Sequence, residues 1–153
     1  MLAIVFTSCV EHRPDEPQVN SGDTKEDKAF IAEKTYAGFR IFEGKIPCAD
    51  CAAIQQRLVL KGDTLGIYRL TEIYKDASED GDATIVSTGE WKFQKNQKTK
   101  KRELFLSQGH IGDSVRVSTY AWQNNAIRLL DDNGDAIQSV SNYTLKLTKQ
   151  SAK

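Results

Sequence analysis

The stretch Asn142-Tyr-Thr-Leu-Lys-Leu-Thr148 alternates apolar and polar residues, which is the pattern of a β-strand with one buried face. Tyr143, Leu145 and Leu147 fall on one side of such a strand, and the two threonines and the lysine fall on the other. The same period of two recurs from Tyr36 onward. The sequence therefore predicts further strands over residues 57–60, 65–74, 84–93, 103–106, 114–122 and 126–130.

Residues that favour turns separate these predicted strands. Asp132-Asn133-Gly134 is a strong hairpin signal, because Asn and Gly tolerate the positive φ angles of tight turns. No helical periodicity lies between the strands, so consecutive strands are expected to pair in antiparallel fashion. We predict an all-β fold: a small antiparallel, lipocalin-like up-and-down β-barrel over residues 36–150, with a flexible N-terminal tether.

Composition and charge argue against two classes of protein. Of 153 residues, 21 are Lys or Arg and 21 are Asp or Glu, so the chain lacks the basic excess of nucleic-acid-binding proteins. The longest apolar run, residues 1–6, is too short to span a bilayer. A basic run from Lys92 to Arg102 is best explained as a solvated hairpin loop, rather than a patch for anionic lipid, lipopolysaccharide or nucleic acid.

Residues 1–9 look like the end of a bacterial export signal. An apolar segment runs into small residues and Cys9, but no basic stretch precedes it, so we interpret it as a truncated lipoprotein signal. Phe6-Thr7-Ser8-Cys9 resembles a lipobox, in which the peptide is cut before the cysteine and the thiol is acylated. Cys9 is therefore the predicted lipidation site, and the alternative is a frayed start with an incidental cysteine.

Residues 10–35 are polar and contain Pro14 and Pro17. This composition cannot bury enough apolar surface to offset the entropy of ordering the chain, so we predict a flexible tether, with at most a helical turn around residues 29–33. An acylated Cys9, a tether and a folded domain together form the layout of a membrane-anchored lipoprotein. Val10 stands where Asp would signal retention in the inner membrane, which favours the outer membrane.

Cys48-Ala-Asp-Cys51 is the part of the sequence with the most chemical scope. Two thiols at this spacing can close a disulfide, bind a soft metal such as Cu(I) or Zn(II), or cycle between dithiol and disulfide. In an exported chain, the oxidising compartment favours the disulfide. A structural zinc site needs four ligands, and few other candidates exist: Cys9, His12 and His110. A two-coordinate Cu(I) site and a catalytic redox pair stay open as alternatives.

No catalytic motif accompanies the cysteine pair. The sequence has no Gly-x-Ser-x-Gly, no His-Glu-x-x-His and no Gly-rich phosphate loop, and it contains only two histidines. A thioredoxin-like enzyme would place Cys48 and Cys51 between a strand and a helix, and no such unit is predicted. We therefore expect a protein that is not an enzyme.

The segment Ile46-Pro-Cys-Ala-Asp-Cys51, followed by Ile54, resembles the signature of the NlpE family of outer-membrane lipoproteins. Ala53 stands where the family has Gly, and Ile46 replaces a Leu. The resemblance covers residues 36–147. Further residues that match the family follow in order: Leu58, Leu60, Tyr68, Leu70, Tyr74, Gly89, Trp91, Leu129, Asp131, Gly134, Ile137, Ser139, Asn142, Tyr143 and Leu145.

The resemblance implies a lipocalin-like barrel in which Cys48 and Cys51 are disulfide-bonded at one end. It also implies a role in copper tolerance and in signalling envelope stress or surface contact. Copper is the candidate metal at Cys48 and Cys51, and no cofactor is certain. Some family members carry a second, OB-like domain with another disulfide. We expect no such domain here, so we do not expect this chain to sense redox state through a second disulfide.

Two functions from different classes follow. The first is a non-enzymatic outer-membrane lipoprotein for copper homeostasis or envelope-stress sensing, with membrane lipid at Cys9, an envelope signalling protein as partner and no nucleic acid. The alternative is a lipocalin-like carrier of a small apolar ligand or lipid, which requires a continuous apolar cavity. If side chains packed solidly around Trp91 and Trp122 fill the interior, no such cavity exists and the carrier hypothesis is contradicted. A monomer is the expected oligomeric state.

Overall fold

The computed structural model describes residues 23–33, 35–109 and 115–151, which form one short helix and eight strands. Within these ranges, no helix is long and apolar enough to cross a membrane. Along the chain the elements are α1 (Lys25–Ala32), β1 (Phe39–Ile46), β2 (Ala53–Gly62), β3 (Leu65–Ser78), β4 (Gly81–Lys95), β5 (Arg102–Gln108), β6 (Val115–Gln123), β7 (Ala126–Leu129) and β8 (Thr144–Gln150).

The eight strands close into one antiparallel barrel. Each strand pairs with the next one along the chain, and β8 returns to pair with β1, where Phe42 lies opposite Leu147. Closure gives the first and last strands a partner on both sides, which removes the sheet edges that an open sheet would expose. The predicted all-β, up-and-down barrel is therefore confirmed.

Alternation along the strands directs one set of side chains into the barrel. Phe42 of β1 lies opposite Leu58 of β2, which lies opposite Leu70 of β3, so apolar residues meet across three neighbouring strands. Burying one such side chain contributes about 1.5–3 kcal/mol. The buried side chains packed together in the interior include Phe42, Leu58, Leu60, Tyr68, Leu70, Trp91, Leu104, Leu106, Tyr120, Ile127 and Leu145.

Strand β1 is absent from the sequence prediction because its pattern does not alternate. Ile41 and Phe42 are consecutive and both are fully buried. Phe42 belongs to the interior, whereas Ile41 lies opposite Val59 on the outer face of the sheet, where Val59 is fully buried too. The pairing with β8 also shifts register between Ile41 and Phe42. A strand that is buried on both faces loses the period of two.

Helix α1 lies where the sequence analysis predicts a flexible tether. Thr24 caps its N-terminus, because Thr24 Oγ1 accepts a hydrogen bond from the backbone N–H of Asp27 at 3.0 Å. The side chain of Asp27 is 1% exposed and pairs with Arg57 of β2. Specific ion pairs therefore order a segment that has little apolar surface. Residues 10–22 and 34 of the predicted tether lie outside the described residues.

Two polar connections have the structures that the sequence predicts. The basic run forms the end of a β4–β5 hairpin, and in its loop Asn96 Oδ1 accepts two backbone hydrogen bonds at 2.8 Å. The Asn133-Gly134 segment forms a tight turn, in which Asp131 Oδ1 accepts from the backbone N–H groups of Asn133 and Asp135 at 2.9 Å. In both connections a side-chain oxygen of the loop accepts hydrogen bonds from the loop's own backbone and so stabilises the turn.

Candidate functional site

The cysteine pair lies in the loop that joins β1 to β2, at one rim of the barrel. Cys48 and Cys51 form a disulfide with their Cα atoms 5.3 Å apart. Both cysteines are partly exposed, and the two residues between them are exposed. The backbone N–H of Ala52 donates to the carbonyl oxygen of Lys75 at 2.9 Å, which holds this loop against β3. The disulfide is therefore fixed to the rim and open to small reagents.

The disulfide closes a very small ring, since its cysteines are three positions apart in sequence. The relation between loop length and chain entropy gives about 2 kcal/mol for such a ring, compared with about 3 kcal/mol for a 15-residue loop. Cys51 Sγ lies 3.5 Å from the carbonyl oxygen of Ala53, a contact without a hydrogen bond because a disulfide sulfur carries no proton. The ring shapes the rim more than it stabilises the fold.

Cys48 and Cys51 are the candidate ligands for a metal at the rim. Across residues 23–33, 35–109 and 115–151, no group of three or more His, Cys, Asp or Glu is placed to hold an ion. Two thiolates do not meet the four-ligand requirement of structural zinc. They do suit Cu(I), which prefers soft sulfur ligands, once the disulfide is reduced. Cys9, His12 and His110 lie outside the described residues.

Aromatic side chains fill the middle of the barrel. Phe42, Trp122, Phe93 and Trp91 make consecutive edge-to-face contacts, with ring centroids 4.8 to 5.7 Å apart. The indole N–H of Trp91 donates to the carbonyl oxygen of Lys61 at 2.7 Å, which fixes the orientation of the ring. An apolar ligand would have to occupy the space that these rings fill. The packing therefore gives no support to the alternative of an apolar carrier.

A cluster of paired charges holds α1 against the outside of the barrel. Arg57 donates to Asp27 and to Asp23, each at 2.7 Å, and to Glu43. Arg69 Nε lies 3.3 Å from the other carboxylate oxygen of Asp27, so both oxygens of this buried carboxylate face a guanidinium group. We call this cluster the helix clasp, and its members are Asp23, Asp27, Glu43, Arg57, Arg69 and Lys149.

The electrostatics of the helix clasp favour its charged form. Burial acts to lower the pKa of Arg57, but hydrogen bonds to Asp27 and Glu43 outweigh it, so that the pKa is raised. A hydrogen bond from Lys149, 2.6 Å long, is the main cause of a lowered pKa at Asp23. Both shifts favour the charged forms of Arg57 and Asp23. Its sequence signal is Thr24 with Asp27 three positions later, a pattern similar to a capping box.

A second polar group, which the sequence analysis does not single out, lies inside the barrel. Gln56 of β2 and Glu72 of β3 are opposite each other in register, and Gln56 Nε2 donates to Glu72 Oε1 at 2.7 Å. Gln56 is two positions from the buried Leu58, and Glu72 is two positions from the buried Leu70, so both continue the inward-facing series of their strands, and this was the available sequence signal. We call this group the inner polar cluster, and its members are Gln56, Tyr68, Glu72 and Tyr120.

Together these features define a class: a small, closed, up-and-down β-barrel of eight strands with a short-range disulfide on one rim. The family model described as the NlpE N-terminal domain matches residues 42–140. The chain belongs to the NlpE N-terminal domain family. The predicted membership is thus confirmed.

Individual proteins and solved structures are similar to this chain. Lipoprotein NlpE of Escherichia coli strain K12 is 32% identical over 110 residues, which are 72% of this chain and 41% of the relative. The crystal structure of the Cpx pathway activator NlpE from Escherichia coli has a TM-score of 0.49 and 28% identity, covering 72% of this chain and 50% of that one. A candidate lipoprotein from Shewanella oneidensis has a TM-score of 0.49 and 27% identity, covering 71% and 86%.

Proposed function

We propose that this chain is the barrel of an outer-membrane lipoprotein, anchored through an acylated Cys9, which acts without catalysis in copper homeostasis or envelope-stress signalling. The observation that carries this proposal is the Cys48–Cys51 disulfide, which lies partly exposed on the rim. In this proposal the protein signals to its partner when the Cys48–Cys51 pair changes between the disulfide and the dithiol form. Its partners are membrane lipid and an envelope signalling protein, and nucleic acid is not among them.

The place of the disulfide in the fold supports a responsive role. A small ring contributes little to the stability of the barrel, so reduction costs about 2 kcal/mol at most by the loop-entropy relation. The buried apolar side chains of the barrel interior, from Phe42 to Leu145, hold the fold independently of that bond. The pair can therefore change state while the rest of the barrel stays folded. Structural disulfides in secreted domains instead close long loops that the fold depends on.

Copper fits the cysteine pair in one state only. In the reduced chain, Cys48 and Cys51 would hold Cu(I) as two thiolates, and copper would supply a link between metal level and the conformation of the rim. Oxidised sulfurs have no thiolate to offer. Copper binding and disulfide formation are thus exclusive uses of the same atoms. This exclusivity connects copper handling with redox sensing at one site.

The relatives support the anchor and the signalling partner. The 32% identical protein of Escherichia coli is a lipoprotein by name, and the crystal structure of NlpE from that organism describes it as an activator of the Cpx pathway. The chain spans 41% of the length of that lipoprotein. Of the properties of that lipoprotein, this proposal transfers to the chain those that depend on the barrel alone, namely the rim disulfide and the surface around it.

The copper part is tested by anaerobic Cu(I) titration of the full chain against a competing chelator. Every sample carries Cys9→Ser, so that the only thiols are those of the rim. We expect one Cu(I) per chain for the reduced protein, and none for the oxidised protein or for Cys48→Ser with Cys51→Ser. The control Ala49→Ser, in the same exposed loop, should bind like the reduced parent. Absence of binding to the reduced parent would overturn the copper role.

The anchor and signalling parts are tested in cells. Labelling with a radioactive fatty acid and separating the membranes by density should place the labelled chain in the outer membrane, and Cys9→Ser should abolish both the label and the membrane association. An envelope-stress reporter should respond differently to Cys48→Ser with Cys51→Ser than to the parent, whereas Ala49→Ser should match the parent. Equal reporter responses for all three would contradict a signalling role for the disulfide.

A further inference from the structure

The inner polar cluster contains buried polar atoms that nothing in the described chain satisfies. Gln56 Oε1, Tyr68 Oη and Tyr120 Oη are fully buried, and among the described residues none of them makes a hydrogen bond. The side chains themselves are 3%, 0% and 0% exposed. Folded proteins leave very few buried polar atoms unpaired, because each lost hydrogen bond to water costs free energy. Three such atoms in one group call for an occupant.

The three atoms belong to side chains on the inner face of the barrel, on β2, β3 and β6. Tyr68 and Glu72 lie four positions apart on β3 and share its inner face, and Gln56 faces Glu72 from β2. Tyr120 comes from the opposite part of the sheet, on β6, and its neighbours are Glu72, Tyr68, Gln56 and Ser118. Ser118 and Gln56 lie near enough to the Tyr120 hydroxyl to act against the rise of its pKa, although neither meets strict hydrogen-bond geometry with it.

The cluster also carries a negative charge without a compensating cation. In the part of the chain that the structure describes, no Lys or Arg forms an ion pair with Glu72, which accepts a hydrogen bond from the side-chain amide of Gln56. Burial, and after it the charge of Glu72, raises the pKa of Tyr68, Tyr74 and Tyr120. The phenols therefore stay neutral, and the net charge of the cluster is that of one carboxylate.

Gln56 and Glu72 lie toward the end of the barrel that holds the disulfide. Ile46, Ile54 and Tyr74 form the register row nearest the Cys48–Cys51 loop, and the row formed by Gln56 and Glu72 is two positions further in. Tyr74 and Glu72 are partly exposed, while Tyr68 and Tyr120 are fully buried. The exposure of the side chains in the cluster thus decreases from Glu72, near the rim, to Tyr68 and Tyr120 in the interior. Sites that bind small molecules are likewise concave and mostly enclosed.

We propose that the inner polar cluster is a binding site for the protonated primary amine of a small organic molecule. The four groups offer oxygen acceptors from Gln56, Tyr68, Tyr120 and Glu72, together with one negative charge. A primary ammonium group carries three hydrogen-bond donors, one positive charge and no acceptor, so it complements this set. The aromatic faces of the tyrosines add attraction for a cation. A quaternary ammonium has no N–H donor and fits the oxygens less well.

The test uses the full chain with Cys9→Ser and follows amide resonances by two-dimensional NMR during titration with methylammonium chloride. Tetramethylammonium chloride and sodium chloride at the same ionic strength serve as comparison probes. We expect saturable shifts at Gln56 and Glu72 with methylammonium, and binding at least about tenfold weaker with either comparison salt. Equal responses to the three salts would overturn the proposal, as would the absence of a saturable response to methylammonium.

Two variants locate the site and keep the result interpretable. Glu72→Gln removes the charge and keeps the shape, and it should weaken methylammonium binding about tenfold or more, whereas Glu79→Gln in the exposed β3–β4 turn should leave it unchanged. Tyr120→Phe removes one acceptor and no charge, and it should weaken binding severalfold. If Glu72→Gln does not fold, Tyr120→Phe decides. Unchanged affinity in a folded Glu72→Gln or Tyr120→Phe chain would overturn the proposal.

Discussion

The helix clasp and the inner polar cluster both bury polar groups, but they treat them in opposite ways. In the clasp, Asp27 is 1% exposed, its Oδ2 accepts a hydrogen bond from Arg57 at 2.7 Å, and its Oδ1 forms an ion pair with Arg69 at 3.3 Å without a hydrogen bond. In the inner polar cluster, the hydroxyl groups of Tyr68 and Tyr120 are buried and have no partner among the described residues. One region lies outside the barrel against a helix, and the other lies inside below the disulfide rim.

The difference separates structural burial from burial that serves binding. A buried charge that is fully paired locks two elements together, and breaking it is costly because the remaining partner is left without compensation. A buried polar atom without a partner already carries that cost in the folded state, so an occupant that pairs with it gains free energy. We therefore assign the clasp to stability and the disulfide end of the barrel to function.

The largest effect is expected from Arg57→Ala in the clasp. Removing this guanidinium leaves Asp23, Asp27 and Glu43 without their common partner, so unfolding by urea should show a loss of about 3–5 kcal/mol. The control Arg40→Ala removes a pair with Asp63, whose side chain is 55% exposed, and should cost about 1 kcal/mol or less. Similar losses of unfolding free energy for both variants would show that the buried clasp contributes no more to stability than an exposed ion pair.

A smaller effect is expected from Cys48→Ser with Cys51→Ser. The loss should be about 2 kcal/mol or less, because the ring constrains few residues of the unfolded chain. The circular dichroism spectrum at room temperature should match that of the oxidised parent. A chain that no longer folds would make the disulfide a structural element of the barrel, and the distinction between its two regions would then fail.

Acid should weaken the clasp in a way that Asp23→Asn removes. The pKa of Asp23 is lowered in the folded chain, chiefly by Lys149, so its contribution is present above the unfolded pKa of about 3.9 and is lost as pH falls through the folded value. We expect Asp23→Asn to cost about 0.2–1 kcal/mol at pH 7 and less at pH 2. Urea unfolding at both pH values measures it, and an equal loss at both would contradict the assignment.

The smallest effect on stability is expected from Tyr120→Phe in the inner polar cluster. The hydroxyl has no partner to lose, so the free energy of unfolding should change by less than about 1 kcal/mol or increase slightly. Asp27→Asn, an equally conservative change in the clasp, should destabilise the chain clearly in the same assay. A large loss for Tyr120→Phe would mean that its hydroxyl is paired within the fold.

The sequence predicts most strands of the barrel because most of them have one solvent-exposed face and therefore alternate apolar and polar residues. The predicted strand over residues 84–93 falls within β4 (Gly81–Lys95), and the turn at Asn133-Gly134 is where the pattern places it. Strand β1 escapes prediction because Ile41 on its outer face is buried as well as Phe42 on its inner face. Alternation reports burial on one face, and it fails where another element covers the second face.

The candidate site is predicted only as far as neighbours in sequence determine it. The spacing of Cys48 and Cys51 suffices to suggest a disulfide, which the structure contains. The helix clasp joins Asp27 to Arg57, thirty positions apart, although Thr24 and Asp27 give a local helix signal. The inner polar cluster needs β2, β3 and β6 in register, and no local pattern encodes such a meeting across the barrel.

The central claim is that the disulfide end of the barrel is the functional end and that the clasp is structural. It is tested most directly by comparing the two-dimensional NMR spectra of the oxidised and reduced Cys9→Ser chain. Reduction should shift the amide resonances of residues 47–56 and 72–75, which span the rim and the nearer part of the inner polar cluster, and leave those of α1 unchanged. Shifts confined to residues 47–52, or shifts of equal size in α1, would contradict it.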